Sequence, residues 1–183
     1  MATIRLVRHG AAAAGFGAHA DPGLSEQGHA QAQAVCRVLS RLEPMPIYSS
    51  PLARAWQTAE PLAKAWNAQI IVEPRVAEIP SPSSVLTERA AWLANAMNGT
   101  WDALDAERQD WRAALGQCLA AQTQDAIFFS HYVAINAAVG YVTNDPRLRI
   151  FAPDNASVTI LDNTDGRLRV ISLGGDAPDT HIN

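Results

Sequence analysis

The sequence predicts an α/β fold, a mostly parallel central sheet flanked by helices. Three observations carry that expectation. Short apolar runs, too brief for helices, recur along the chain and stop abruptly at polar residues, as buried strands do. Stretches with apolar residues at helical spacing separate them. Several of these helices begin just after a strand, the alternation that lays parallel strands side by side.

Taken in order, Ile4, Leu6 and Val7 form the first apolar run, which ends at Arg8-His9-Gly10, where glycine permits a turn. Residues 11–23, rich in alanine and glycine, read as a loop. Ser25 is placed to cap a helix with Glu26 in its first turn. Ala30, Ala34, Val35, Val38, Leu39 and Leu42 continue that helix to Glu43, before Pro44 and Pro46. Ile47-Tyr48-Ser49 is the second strand. Ser50 is expected to cap the next helix, with Pro51 in its first turn and an apolar face of Leu52, Ala55, Ala59, Leu62, Ala63 and Trp66. Ile70-Ile71-Val72 is the third strand, followed by an irregular stretch over 73–82.

Helices are expected over 84–97 and 102–122, separated by Asn98-Gly99. Trp92, Trp101 and Trp111 read as core or lid aromatics, because no basic residues are interleaved to make a stacking platform. Ala126-Ile127-Phe128-Phe129-Ser130 is a second strongly buried strand, and it too ends in a histidine, His131. A helix over 133–139 should stop at Gly140. The remainder reads as a β-rich edge, with strands at 147–151, 157–161 and 167–172, then a loose polar tail from Gly174.

A chain of 183 residues fits one domain, 1–183. An apolar content of 48% with 17% charged residues argues against general disorder. The net charge of −4 argues against a nucleic-acid surface but permits a local basic pocket. Cys36 and Cys118 lie in expected helices without CxxC spacing and read as buried, reduced thiols. No apolar run approaches the roughly 18 residues of a membrane span, so no membrane partner and a cytoplasmic location are expected.

Two apolar strands thus terminate in histidine, and a parallel sheet brings those ends to one edge. An imidazole there is a nucleophile, a general base or a metal ligand. No histidine or carboxylate pair has ligand spacing such as HExxH, so no metal and no other cofactor is expected. With Arg8 and Arg54 added, the edge offers two guanidinium groups and two imidazoles, a pocket suited to a dianionic phosphoryl group.

These residues resemble the histidine phosphatases, the phosphoglycerate-mutase-like superfamily. The resemblance rests on five pieces in order: Leu6-Val7-Arg8-His9-Gly10; Leu24-Ser25-Glu26-Gln27-Gly28 with Gln31-Ala32; Ser49-Ser50-Pro51-Leu52-Ala53-Arg54-Ala55 with Gln57-Thr58-Ala59; Ser130-His131; and Asn155-Ala156-Ser157-Val158. It implies a three-layer sandwich. By the same resemblance His9 is the nucleophile that becomes phosphorylated, while Arg8, Arg54 and His131 bind phosphoryl oxygens. Glu78, in Val76-Ala77-Glu78-Ile79-Pro80, occupies the family's place for the general acid. Glu60, within a helix, and Glu73, immediately after a strand, are weaker candidates, and His19, His29 and His181 read as surface residues.

The chain also departs from the family pattern. Ala11, Ala12 and Gly15 stand where many relatives carry polar phosphate contacts, and Tyr132 replaces the usual glycine after the second histidine. The expected activity is therefore hydrolysis of a phosphomonoester or phosphohistidine, on a small phosphorylated metabolite or a phosphoprotein. Phosphoglycerate-mutase-type transfer and a catalytically weak phospho-ligand binding module are the alternatives.

Overall fold

The structure, a computed structural model, describes residues 1–15 and 17–175. Its strands are β1 (Ala2–Arg8), β2 (Ile47–Ser49), β3 (Ile70–Val72), β4 (Ala126–Ser130), β5 (Val158–Thr164) and β6 (Arg167–Ser172). They join in the order β3-β2-β4-β1-β5-β6. The four strands from β3 to β1 run parallel, β5 pairs antiparallel with β1, and β6 pairs antiparallel with β5. The helices are α1 (Glu26–Leu39), α2 (Ala53–Trp66), α3 (Leu86–Ala96), α4 (Ala106–Ala120) and α5 (Tyr132–Thr143), with 3₁₀ turns at Pro74–Val76 and Trp101–Ala103.

Side chains alternate across the sheet, and this splits the core in two. Ile4 and Leu6 of β1 and Ala126 and Phe128 of β4 pack with α4 and α5 on one face. Val7, Ile127 and Phe129 pack with α1 and α2 on the other. Helix, sheet and helix make the three layers expected. α5 is buried over Tyr132–Gly140 residue by residue, which explains why its sequence is apolar all round. The register pairs Arg8 of β1 with Ser130 of β4, so both strands deliver their histidines at the same level. Among the described residues, no helix is long and apolar enough to cross a membrane, and Cys36 and Cys118 are buried free thiols.

Several boundaries differ from expectation. α1 ends at Leu39 rather than Glu43, because the chain tightens into i→i+3 turns through Leu42. α2 starts at Ala53 with Leu52 at its N-cap. Ser50 is therefore not the cap, and Pro51 lies ahead of the first turn. α5 runs through Gly140 and stops at Asn144 in the left-handed region, φ 55°. Gly140 serves close packing instead: a Cβ there would lie 3.0 Å from the Asp145 carbonyl oxygen and 3.1 Å from the Ile150 side chain.

Residues 147–151 make no strand, only one bridge between Thr100 and Arg147. The backbone N–H groups of Ile150 and Phe151 donate to Asn136 Oδ1 at 2.8 and 3.1 Å, so a helix side chain satisfies what a sheet neighbour would have satisfied. Arginines do accompany the tryptophans. Arg108 lies 5.9 Å from the Trp92 ring and Arg112 5.2 Å from Trp101, as packing partners in the α3–α4 region. The expected loose tail is held at its start, where Gly174 N–H donates to Thr159 and Gly175 accepts from Asp154. The remainder, 176–183, lies outside the described residues.

The loop after β1 is pressed onto the start of α1. A Cβ on Gly28 would fall 2.0 Å from the Ala11 carbonyl oxygen, a backbone atom with little room to yield. Gly28→Ala is expected to cost about 1–3 kcal/mol as overpacking and to displace the segment following His9. Urea denaturation checks the first effect and changed amide ¹H–¹⁵N shifts of residues 10–13 the second.

Candidate active site

The four groups expected to converge do so. His9 and His131 sit at the carboxyl ends of β1 and β4 with ring centroids 5.1 Å apart, both fully buried. The Arg54 side chain, from the first turn of α2, donates through Nε to His9 Nε2 at 3.1 Å. Arg8 continues the β1 face of Ile4 and Leu6. It donates to the Pro153 carbonyl at 2.8 Å and lies 5.1 Å from the centroid of the Tyr132 ring. Tyr132, the residue that replaces a glycine, thus forms a buried floor under one of the guanidinium groups.

The hydrogen bonds of His9 determine its tautomer. Nδ1 lies 2.7 Å from the Gly10 carbonyl oxygen, which can only accept. Nδ1 therefore carries the proton. Nε2, which accepts from a guanidinium that can only donate, carries the lone pair. Burial holds the imidazole well below its usual pKa, and the Arg54 and Arg8 charges push it further down. Burial also depresses His131, reinforced by Arg54, His9 and Arg8.

These shifts have a consequence for stability. The unfolded chain takes up protons on both histidines as pH falls through about 6.5, whereas the folded protein does not. Protonation therefore favours the unfolded state. Unfolding free energy is expected to decline as pH drops below that value, and His131→Asn should flatten the decline. Urea titrations between neutral and mildly acid pH measure both.

Glu78 meets the site from the segment after the 3₁₀ turn at Pro74–Val76. It is 8% exposed, and three backbone N–H groups anchor it. Oε1 accepts from Ile79 at 3.0 Å and Ala134 at 3.3 Å, and Oε2 from Val133 at 3.3 Å. Val133 and Ala134 belong to the first turn of α5, so the carboxyl group sits on the positive end of the helix that starts beside His131. Burial raises its pKa, while the backbone donors and the Arg54 and Arg8 charges oppose the rise. The competing carboxylates are occupied elsewhere. Glu73 is tied to Arg75 at 2.6 Å, and Glu60 lies exposed on α2.

Much of the five-part motif is scaffold. Gly10 N–H donates to Thr58 Oγ1 at 3.0 Å, Ala11 N–H to Gln31 at 2.7 Å and Leu24 N–H to Gln57 at 2.7 Å. Asn155 donates to the His9 carbonyl at 2.9 Å, and Ala156 N–H to the Arg8 carbonyl at 3.0 Å. Asp21 accepts from Ala53 N–H at 2.9 Å and lies 3.8 Å from Arg54, steadying the start of α2 and its guanidinium together. The sequence did not single out Asp21 for this role. It falls within the stretch 11–23 that reads as a loop, and its reach of 32 residues to Ala53 has no local signal. His19 and His29 are exposed as expected, and His181 lies outside the described residues.

The family model for the histidine phosphatase superfamily (branch 1) matches residues 4–175. Over 59 residues the chain is 48% identical to phosphoserine phosphatase 1 of Hydrogenobacter thermophilus, a match spanning 32% of this chain and 28% of that protein. Over 163 residues it is 26% identical to the 2,3-bisphosphoglycerate-dependent phosphoglycerate mutase of Thermoplasma acidophilum, spanning 82% and 78%. A mycobacterial glucosyl-3-phosphoglycerate phosphatase, solved in complex with VO3, superposes with a TM-score of 0.74 at 22% identity, covering 96% of this chain and all of that one. Bacillus stearothermophilus YhfR superposes with a TM-score of 0.78 at 19% identity over both full chains. The family model covers nearly the whole chain, and the chain belongs to the histidine phosphatase superfamily.

Proposed function

We propose that the protein is a phosphohydrolase that cleaves a phosphomonoester, or a phosphohistidine, through a covalent phosphohistidine on His9. The observation that carries this reading is the His9 tautomer, in which Nδ1–H is spent on Gly10 and the Nε2 lone pair is turned toward Arg54. Attack on phosphorus needs that neutral lone pair. When a phosphoryl group arrives, its oxygens take over the Arg54 N–H, which frees Nε2 as the electrophile comes within reach.

Arg8, Arg54 and His131 then meet the three equatorial oxygens and balance charge in an in-line transition state. The bond from phosphorus to the leaving oxygen breaks as the bond to Nε2 forms. Glu78, protonated, gives its proton to that oxygen. The resulting carboxylate next takes a proton from the water that attacks the phosphohistidine, returning neutral His9, protonated Glu78 and inorganic phosphate. Since guanidinium groups do the charge balancing, no metal is required in this scheme.

A small phosphorylated metabolite is the favoured substrate class. It accords with the relatives named for phosphoserine, phosphoglycerate and glucosyl-3-phosphoglycerate. The relatives named as mutases supply the second reading. Against it stands the loop after His9, whose Ala11, Ala12 and Gly15 offer no side-chain donors to hold a sugar acid while it turns over. Incubation with 3-phosphoglycerate separates the two: phosphate release is expected, and rapid isomerisation without release would replace this reading with a mutase. Binding of p-nitrophenyl phosphate without turnover would instead make the protein a phospho-ligand binding module.

A further inference from the structure

The group facing His131 is Ser50, whose hydroxyl lies 2.8 Å from His131 Nε2, with both residues fully buried. Ser50 is itself fixed on three sides. Its N–H donates to the Phe129 carbonyl at 3.0 Å, its carbonyl accepts from the Ser49 hydroxyl at 2.9 Å, and its Oγ accepts from Leu52 N–H at 3.2 Å. The serine expected to cap a helix is spent on a histidine 81 residues away.

We propose that Ser50 is a positioning residue that keeps the proton of His131 on Nδ1, and so makes Nδ1 the nitrogen that donates to the phosphoryl group. The inference rests on the phosphoryl-transfer reading of the site. Two proton arrangements compete. If His131 Nε2–H donates to Ser50, the serine hydroxyl proton has no acceptor among the described residues, and a bare Nδ1 lone pair remains to face an anion.

If Ser50 donates to Nε2, the hydroxyl is satisfied on both sides. It accepts from Leu52 and donates to His131, and the imidazole proton moves to Nδ1. That nitrogen has no hydrogen-bond partner among the described residues, and a phosphoryl oxygen supplies one on binding. Only the second arrangement pairs every polar atom of the Ser50 and His131 side chains in the complex, the condition that buried polar groups meet almost everywhere. His131, held neutral, is thereby a directed donor rather than a ring free to present either nitrogen.

The test begins with the unaltered protein. With ¹⁵N-labelled histidine, His131 is expected to show a protonated Nδ1 and a bare Nε2 at neutral pH; a protonated Nε2 overturns the inference. In Ser50→Ala the Nε2–H tautomer should gain population and kcat for p-nitrophenyl phosphate should fall about tenfold, the size of one lost hydrogen bond. Ser50→Thr, which keeps the hydroxyl, should restore the wild-type tautomer and most of the rate. A loss of rate in Ser50→Ala with the His131 tautomer unchanged contradicts the proposal, since it would mark a merely structural role. A wild-type protein with the expected tautomer that hydrolyses no phosphomonoester contradicts the proposed function and leaves the Ser50–His131 assignment standing.

Discussion

His9→Ala is expected to lower turnover of p-nitrophenyl phosphate by at least about 10⁴-fold, the order of loss seen when a covalent nucleophile is deleted. The size follows from what remains. Without the imidazole, Arg8, Arg54 and His131 still form a cationic pocket, so substrate affinity should survive. A steady-state analysis should therefore find kcat collapsed with KM changed only a few-fold. The folded state should tolerate the change, because the Gly10 carbonyl and the Arg54 Nε that His9 engages have water or phosphate as substitutes once the ring is gone. A variant that keeps more than a few per cent of wild-type kcat would show that His9 is not the nucleophile.

Glu78→Gln carries the second large effect, and its pattern is more informative than its size. Proton transfer of this kind contributes about 10²–10⁴-fold, so kcat for an alkyl phosphate, whose leaving oxygen needs a proton, should fall by that much. An ester with a strongly acidic alcohol such as 2,4-dinitrophenol needs no proton and should lose far less in the first step. The phosphoenzyme should then accumulate, because the base for its hydrolysis is also gone. The pH profile gives an independent reading. The burial-raised carboxyl must be protonated to act as acid, so the wild-type rate for alkyl esters falls as pH rises through that pKa. In the glutamine variant this limb should vanish. Stability should suffer as well: an amide has one oxygen where the carboxyl group presents two to Ile79, Ala134 and Val133, and an NH₂ set against a backbone N–H at the start of α5 costs about 1–3 kcal/mol.

The fold was legible in the sequence where periodicity and breakers agreed. The buried runs at Ile4–Val7 and Ala126–Phe129, the Ser25 cap and the Asn98-Gly99 break all occur where their chemistry requires. What failed was local inference about groups whose partners are distant. Ser50 has a good capping residue's chemistry, but His131 competes for the hydroxyl. Gly140 looks like a stop because glycine weakens helices, whereas here it lets Asp145 and Ile150 approach. The stretch 147–151, in which arginine and apolar residues alternate, looks like a strand, but Asn136 takes the N–H groups of Ile150 and Phe151.

The candidate site followed the same division. Arg8, His9 and His131 were readable as strand ends, because a parallel sheet must gather them. Arg54 and Glu78 lie on a helix and an irregular segment, where spacing says nothing about direction; Arg54 joins the strand-end set as a second guanidinium, and only the resemblance marks Glu78. The anchoring of Glu78 on the first turn of α5, and of Arg54 beside Asp21, needed coordinates to see.

Trapping the covalent bond between His9 and phosphorus decides whether the imidazole is the nucleophile. Protein mixed with a reactive phosphate ester and quenched within one turnover in strong alkali, where phosphohistidine persists, should carry a single phosphoryl group on the peptide containing His9. The label should accumulate in Glu78→Gln and be missing in His9→Ala. Multiple turnovers with no labelled His9 at any quench time, from a protein whose His9→Ala variant remains active, would contradict the account.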